Sequence, residues 1–213
     1  MTKKLIFIFN IIVIIYLFSN ITEELVDMKS NKESVNNSGT TYEDIQINLL
    51  IEEGISDNVL SNVEVAFKKV PSKLIKMFQD DNWTIQIVSK IKDEENISGL
   101  TDYKEKSIYI LGDNLGQEVE TLIHEMGHYL DYKLGFISEK EEFNLLYNKY
   151  SNDYIEYQYK NFSNIDLEEM NYLKTNNKEF FASTFKDYIV APIYIEETAP
   201  GIHKFINKII KDL

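Results

Sequence analysis

His124, Glu125 and His128 stand in the run Thr121-Leu-Ile-His-Glu-Met-Gly-His-Tyr-Leu130, a stretch whose apolar residues recur at helical spacing. Two histidines four apart on a helix project from one face, so both imidazoles can grip a single zinc ion. Glu125 sits beside that face, where it can take a proton from a water that the metal activates. The flanks decide whether the pattern is chemical or accidental. Leu122, Ile123, Met126, Tyr129 and Leu130 mark a buried helix, in which an unpaired polar cluster would be costly.

A catalytic zinc usually takes three protein ligands and keeps one open position. The chain has no cysteine, so the third ligand must be His, Asp or Glu. The remaining histidine, His203, falls in the Phe205, Ile206, Ile209, Ile210 stripe of a C-terminal helix and reads as a packing or surface residue. A carboxylate is then favoured. Glu179, the lone acid entering the otherwise apolar helix in Asn177-Lys-Glu-Phe-Phe-Ala-Ser-Thr-Phe185, is the best-placed candidate. On the residues alone it reads equally well as a first-turn acid that suits the helix dipole.

The elements that must position these side chains follow from hydrophobic period. Ile45, Ile47 and Leu49 alternate as a half-buried strand. Asp57 can cap a helix presenting Leu60, Val63 and Phe67, and Pro71 can open another carrying Leu74, Ile75 and Phe78. Trp83, Ile85 and Ile87 predict a second strand, with Trp83 in the core. A polar loop containing Gly99 leads to a third strand at Ser107–Leu111, which is the expected edge strand for a substrate. Helices follow from Gln117 to Leu213. Strands first and helices later predict an α+β domain with helices packed on a small twisted sheet.

Ahead of this domain, Lys3 and Lys4 precede an apolar run from Leu5 to Phe18, broken only by Asn10. That layout predicts a secretory signal over residues 1–20, with a retained anchor as the alternative because no Ala-x-Ala site follows. Residues 21–41 predict a flexible polar leader, and 42–213 the folded domain. The net charge of −13 disfavours nucleic acid as a partner. It becomes −15 if the signal, with two lysines and no acids, is removed, which would attract basic peptides. No stable membrane partner is expected after signal cleavage.

With His-Glu-Met-Gly-His at 124–128, Asn-Tyr-Leu at 171–173, Glu-Phe-Phe-Ala at 179–182 and Ala-Pro-Gly-Ile-His-Lys-Phe-Ile-Asn at 199–207, the chain resembles the anthrax lethal factor catalytic-domain family, which includes the clostridial Pro-Pro endopeptidases. The resemblance implies a zincin-like metallopeptidase fold with one zinc per chain, held by His124, His128 and Glu179. It further implies Glu125 as general base and Tyr172 over the metal, its phenol donating to the oxyanion. The expected function is that of a secreted zinc endopeptidase acting on extended peptides. Proline specificity is left open, because the connection from Lys90 to Lys106 is shorter than in the Pro-Pro endopeptidases. The alternative is a non-catalytic, partner-binding module of the same fold, as occurs within a toxin component.

Overall fold

A computed structural model describes residues 47–92, 94, 97–112, 117–161, 173–174 and 176–213. The expected signal, the leader, Ile45 and Tyr172 lie outside these residues. Four strands form one sheet: β1 (Asn48–Ile51), β2 (Thr84–Val88), β3 (Gly99–Asp102) and β4 (Ser107–Leu111). Their order across the sheet is β1-β2-β4-β3. β1 and β2 are parallel, as are β2 and β4, while β3 runs antiparallel to β4. Seven α-helices are described: α1 (Asp57–Lys69), α2 (Ser72–Asp80), α3 (Glu118–Lys133), α4 (Glu141–Asn161), α5 (Asn177–Val190), α6 (Pro192–Thr198) and α7 (Pro200–Asp212). The architecture is α+β, a small sheet with packed helices.

Period two explains the two faces of the sheet. Ile85 and Ile87 of β2 and Ile108 and Ile110 of β4 are fully buried in one hydrophobic cluster with Val63 of α1, Phe78 of α2 and Ile123 and Met126 of α3. Between them Gln86 donates to the hydroxyls of Ser107 (3.1 Å) and Tyr109 (3.2 Å), a polar ladder on the opposite face. Trp83 is buried immediately before β2, stacked edge-on against Tyr129 of α3, as expected of a core residue.

Three sequence expectations change. Asp57 is the first residue of α1 rather than its cap, which is Ser56, and Pro71 caps α2 rather than entering it. The first strand, Asn48–Ile51, does alternate as expected, with Leu49 partly buried against the core and Leu50 57% exposed. The segment read as a polar loop around Gly99 contains β3, so β4 is an interior strand and β3 holds the sheet edge. The reason is local. Gly99-Leu-Thr-Asp102 has a single apolar residue and carries no alternating signal. Its hairpin is closed instead by Asp102, whose carboxylate accepts the backbone N–H groups of Lys104 (2.9 Å) and Glu105 (3.0 Å).

α3 is held against the rest from both ends. Glu118 and Glu120 in its first turn and Lys133 in its last suit the helix dipole. Asn62 of α1 donates to the buried Glu118 at 3.0 Å. At the other end Asp81, just after α2, accepts from the Tyr129 hydroxyl (2.9 Å) and from Lys133 (2.6 and 2.7 Å). α3 and α5 meet at close range because Gly127 lies against Ala182: a Cβ on Gly127 would stand 3.0 Å from the Ala182 Cα and 3.1 Å from Phe185 Cδ1.

Candidate metal centre

That close approach carries Glu179 to the two histidines. Glu179 occupies the first turn of α5, where the Asn176 side chain caps the helix by accepting from Lys178 N (3.0 Å) and Glu179 N (3.3 Å). Phe180, Phe181 and Phe185, all fully buried, anchor the same helix, each by about 1.5–3 kcal/mol. The carboxylate is thereby delivered to the α3 face. Glu179 Oε2 lies 3.2 Å from His124 Nε2, and Oε1 lies 3.3 Å from His128 Nε2. The two imidazoles are 4.8 Å apart between ring centres and nearly perpendicular. Both readings of Glu179 hold together: it is a first-turn acid, and it faces the histidine pair.

The spacing fits a metal. With ligand bonds of about 2.0–2.1 Å, neighbouring donors of a tetrahedral site are separated by about 3.3 Å. One donor atom from each of His124, His128 and Glu179 can be chosen so that all lie within 4.8 Å of one another, and each histidine Nε2 already lies beside one of the two carboxylate oxygens. Two imidazoles and a carboxylate could therefore hold a divalent ion. The carboxylate is held ionised, as a metal ligand must be. Burial alone would push the Glu179 carboxyl up, but hydrogen bonds from His124 and His128 outweigh it and hold the group well below the usual carboxylate range. Burial alone would push His128 down, yet Glu179 and the nearby charge of Glu125 raise it. Ser183 Oγ lies 3.5 Å from His124 Nδ1, while the buried His128 Nδ1 has no hydrogen-bond partner among the described residues.

Glu125 is 6% exposed and belongs to the same cleft, a space of 720 Å³. β3 forms one wall, through Gly99, Leu100 and Thr101, and α5 contributes the opposite side through Glu179, Ser183 and Lys186. Thr101 Oγ1 donates to Glu125 Oε2 at 2.6 Å. Tyr172 lies outside the described residues; its neighbour Leu173 borders the cleft. His203 lies on α7 with its ring 5.1 Å from that of Tyr188, as a packing residue. Sequence reasoning missed Gly99, Thr101 and Ser183. The Asp102 turn signal could have revealed the strand that carries the first two.

The chain is similar to known proteins in sequence and in fold. Residues 110–209, which include His124, His128 and Glu179, match the family model described as anthrax toxin lethal factor, N- and C-terminal domain. The chain is 30% identical over 131 residues to lethal factor of Bacillus anthracis, an alignment spanning 57% of this chain and 15% of that protein. Among solved structures, the Pro-Pro endopeptidase of Paenibacillus alvei superposes with a TM-score of 0.57 at 14% identity, covering 76% of this chain and 96% of the other. The last of these shows a shared fold. The family model lies across the candidate metal ligands, so over residues 110–209 the chain is similar to the anthrax lethal factor domain family.

Proposed function

We propose that this protein is a secreted zinc-dependent endopeptidase. The observation that carries the reading is the convergence of His124, His128 and Glu179, with donor atoms within 4.8 Å of one another and Glu125 in the same cleft. When bound, zinc would supply Lewis acidity, polarising a substrate carbonyl and making a water more acidic. Glu125 would then accept the proton of the attacking water and return it to the departing amine nitrogen as the peptide C–N bond breaks. The phenol of Tyr172 would donate to the developing oxyanion. β3 offers a sheet edge along the cleft, to which an extended peptide can add its own backbone hydrogen bonds. Secretion rests on the basic and apolar N-terminal pattern.

The test has two arms. Elemental analysis of dialysed protein should find one zinc per chain, and a peptide library should be cleaved internally with loss on chelation. Glu125→Gln should keep the metal while lowering turnover by roughly a hundredfold or more, because an amide cannot accept the proton. A protein that holds zinc, binds a polypeptide partner and cleaves nothing would instead be a partner-binding module, and the endopeptidase reading would fall.

A further inference from the structure

β3 does more than border the cleft. Gly99 and Thr101, two apart and so on one face of the strand, meet the two oxygens of the Glu125 carboxylate. Thr101 Oγ1 donates to Oε2 at 2.6 Å and approaches the Glu125 carbonyl at 3.3 Å. Thr101 is itself buried, and among the described residues it is the only hydrogen-bond donor to this carboxylate. On the other oxygen the strand supplies space. A Cβ on Gly99 would stand 2.6 Å from Glu125 Oε1, 2.9 Å from its Cγ and 2.7 Å from Thr121 Cγ2. Every residue larger than glycine would displace the carboxylate or the strand.

We infer that Gly99 and Thr101 form a seat for the base, and that they are positioning residues for the hydrolytic reaction. The inference rests on the role proposed for Glu125. A buried carboxylate without a donor is costly and would seek another partner. One neutral hydroxyl satisfies Oε2 and fixes the side-chain torsions, while Oε1, over the glycine, stays clear to exchange a proton. A lysine at position 101 would tie up the charge, and a valine would leave it loose. The placement has a second effect. The same strand is the edge that a substrate backbone would join, so base and scissile bond are referenced to one rigid element. Their separation then depends on the pleat of β3 and little on motion between the sheet and α5, the kind of alignment in which an error of 1 Å costs about a hundredfold in rate.

The decisive variants are Thr101→Val, which keeps shape and loses the hydroxyl, and Thr101→Ser, which keeps the hydroxyl. Zinc-loaded Thr101→Val should lose roughly ten- to hundredfold in kcat, with KM within about twofold and zinc content unchanged. Thr101→Ser should recover most of that loss, and Gly99→Ala should lower kcat as Thr101→Val does. Parental kcat in Thr101→Val, or an equal loss in Thr101→Ser, would overturn the seat. A second readout needs no turnover. In metal-free protein, Thr101→Val should lower Tm by at least about 3 °C more in the parent than in a Glu125→Ala background, since only the parent leaves a carboxylate unsatisfied. Equal shifts in both backgrounds would also overturn it. If the parent cleaves no peptide at all, the endopeptidase reading fails, and the Tm cycle alone then decides whether Thr101 holds Glu125.

Discussion

Gly127→Ala tests whether the α3–α5 contact sets the geometry of the metal site. In an isolated helix the substitution would be favourable by about 1 kcal/mol, because alanine loses less backbone entropy than glycine. Here the new methyl would lie 3.0 Å from the Ala182 Cα, 3.3 Å from the Ala182 carbonyl oxygen and 3.1 Å from Phe185 Cδ1. Two of these are backbone atoms of a buried helix and cannot swing aside, and Phe185 is fully buried. Relief to an ordinary contact requires the helices to part by several tenths of an ångström, with overpacking strain of about 1–3 kcal/mol. Strain cancels or exceeds the helix gain, so the metal-free variant should be between equal to and about 2 kcal/mol less stable than the parent. The effect on the metal should be larger. His124 and His128 ride on α3 and Glu179 on α5, so the movement falls directly on the 3.2 and 3.3 Å spacings. Metal sites tolerate about 0.2 Å. Zinc affinity, measured by competition with a chelator, should drop roughly ten- to a hundredfold, the range seen when groups supporting a ligand are disturbed. A metal-free variant more stable than the parent by the full helix gain, with unchanged zinc affinity, would refute the reasoning.

Glu179→Ala should weaken zinc binding by at least about a hundredfold by leaving two imidazoles, and excess zinc should partly restore activity; competition titration checks it. Tyr172→Phe should retain zinc and lower kcat by roughly a hundredfold with little change in KM, read from steady-state kinetics on one peptide. Asp81→Asn should cost about 1 kcal/mol at pH 7, after allowing for the partial exposure of Lys133. Burial pushes Asp81 up, but Lys133 and Tyr129 outweigh it and leave its pKa lowered. The sign follows: the contribution is complete above the unfolded carboxyl value of about 4 and is lost as pH falls through the lower folded value. Urea titrations should show the gap between variant and parent closing below pH 4.

The candidate metal ligands were legible unequally: His124 and His128 stand in a helix whose apolar residues mark a buried face, whereas Glu179 read equally well as a first-turn acid until the family resemblance favoured it. His124 and His128 sit among apolar residues whose spacing fixes both the helix and its buried face, and Glu179 opens a run of three buried phenylalanines. The sheet was legible only where it is buried on alternate residues, at Ile85 and Ile87, or almost continuously, at Ser107–Ile110. β3 failed that test because of what its residues contact. Its four residues include a glycine that makes room for a carboxylate, a threonine that binds it and an aspartate that closes the turn, so the usual strand signal is replaced by site chemistry. Period also misplaced the expected edge, because the apolar character of Ser107–Leu111 comes from its interior position between β2 and β3.

Local geometry also changes what the overall acidity of the chain implies for substrates. A formal charge of −13 suggests attraction of basic peptides, but fields fade within a Debye length of about 8 Å at physiological salt, so the groups lining the cleft matter most. Among the described residues those are Glu94, Glu120, Glu125 and Glu179 against Lys178 and Lys186. Two of the acids are already engaged. Glu179 faces the histidines, and Glu120 pairs with Lys186 at 3.3 Å. Lys178 is paired with Glu139 at 3.0 Å and lies over the Phe136 ring. Counted by the lining side chains alone, four acids against two lysines leave an excess of only two negative charges in the cleft. The overall acidity can still speed the approach of a cationic chain in a salt-dependent way. On the proposed reading, discrimination among peptides would then fall to the shape of the cleft along Leu100, Tyr103 and Leu173, more than to charge.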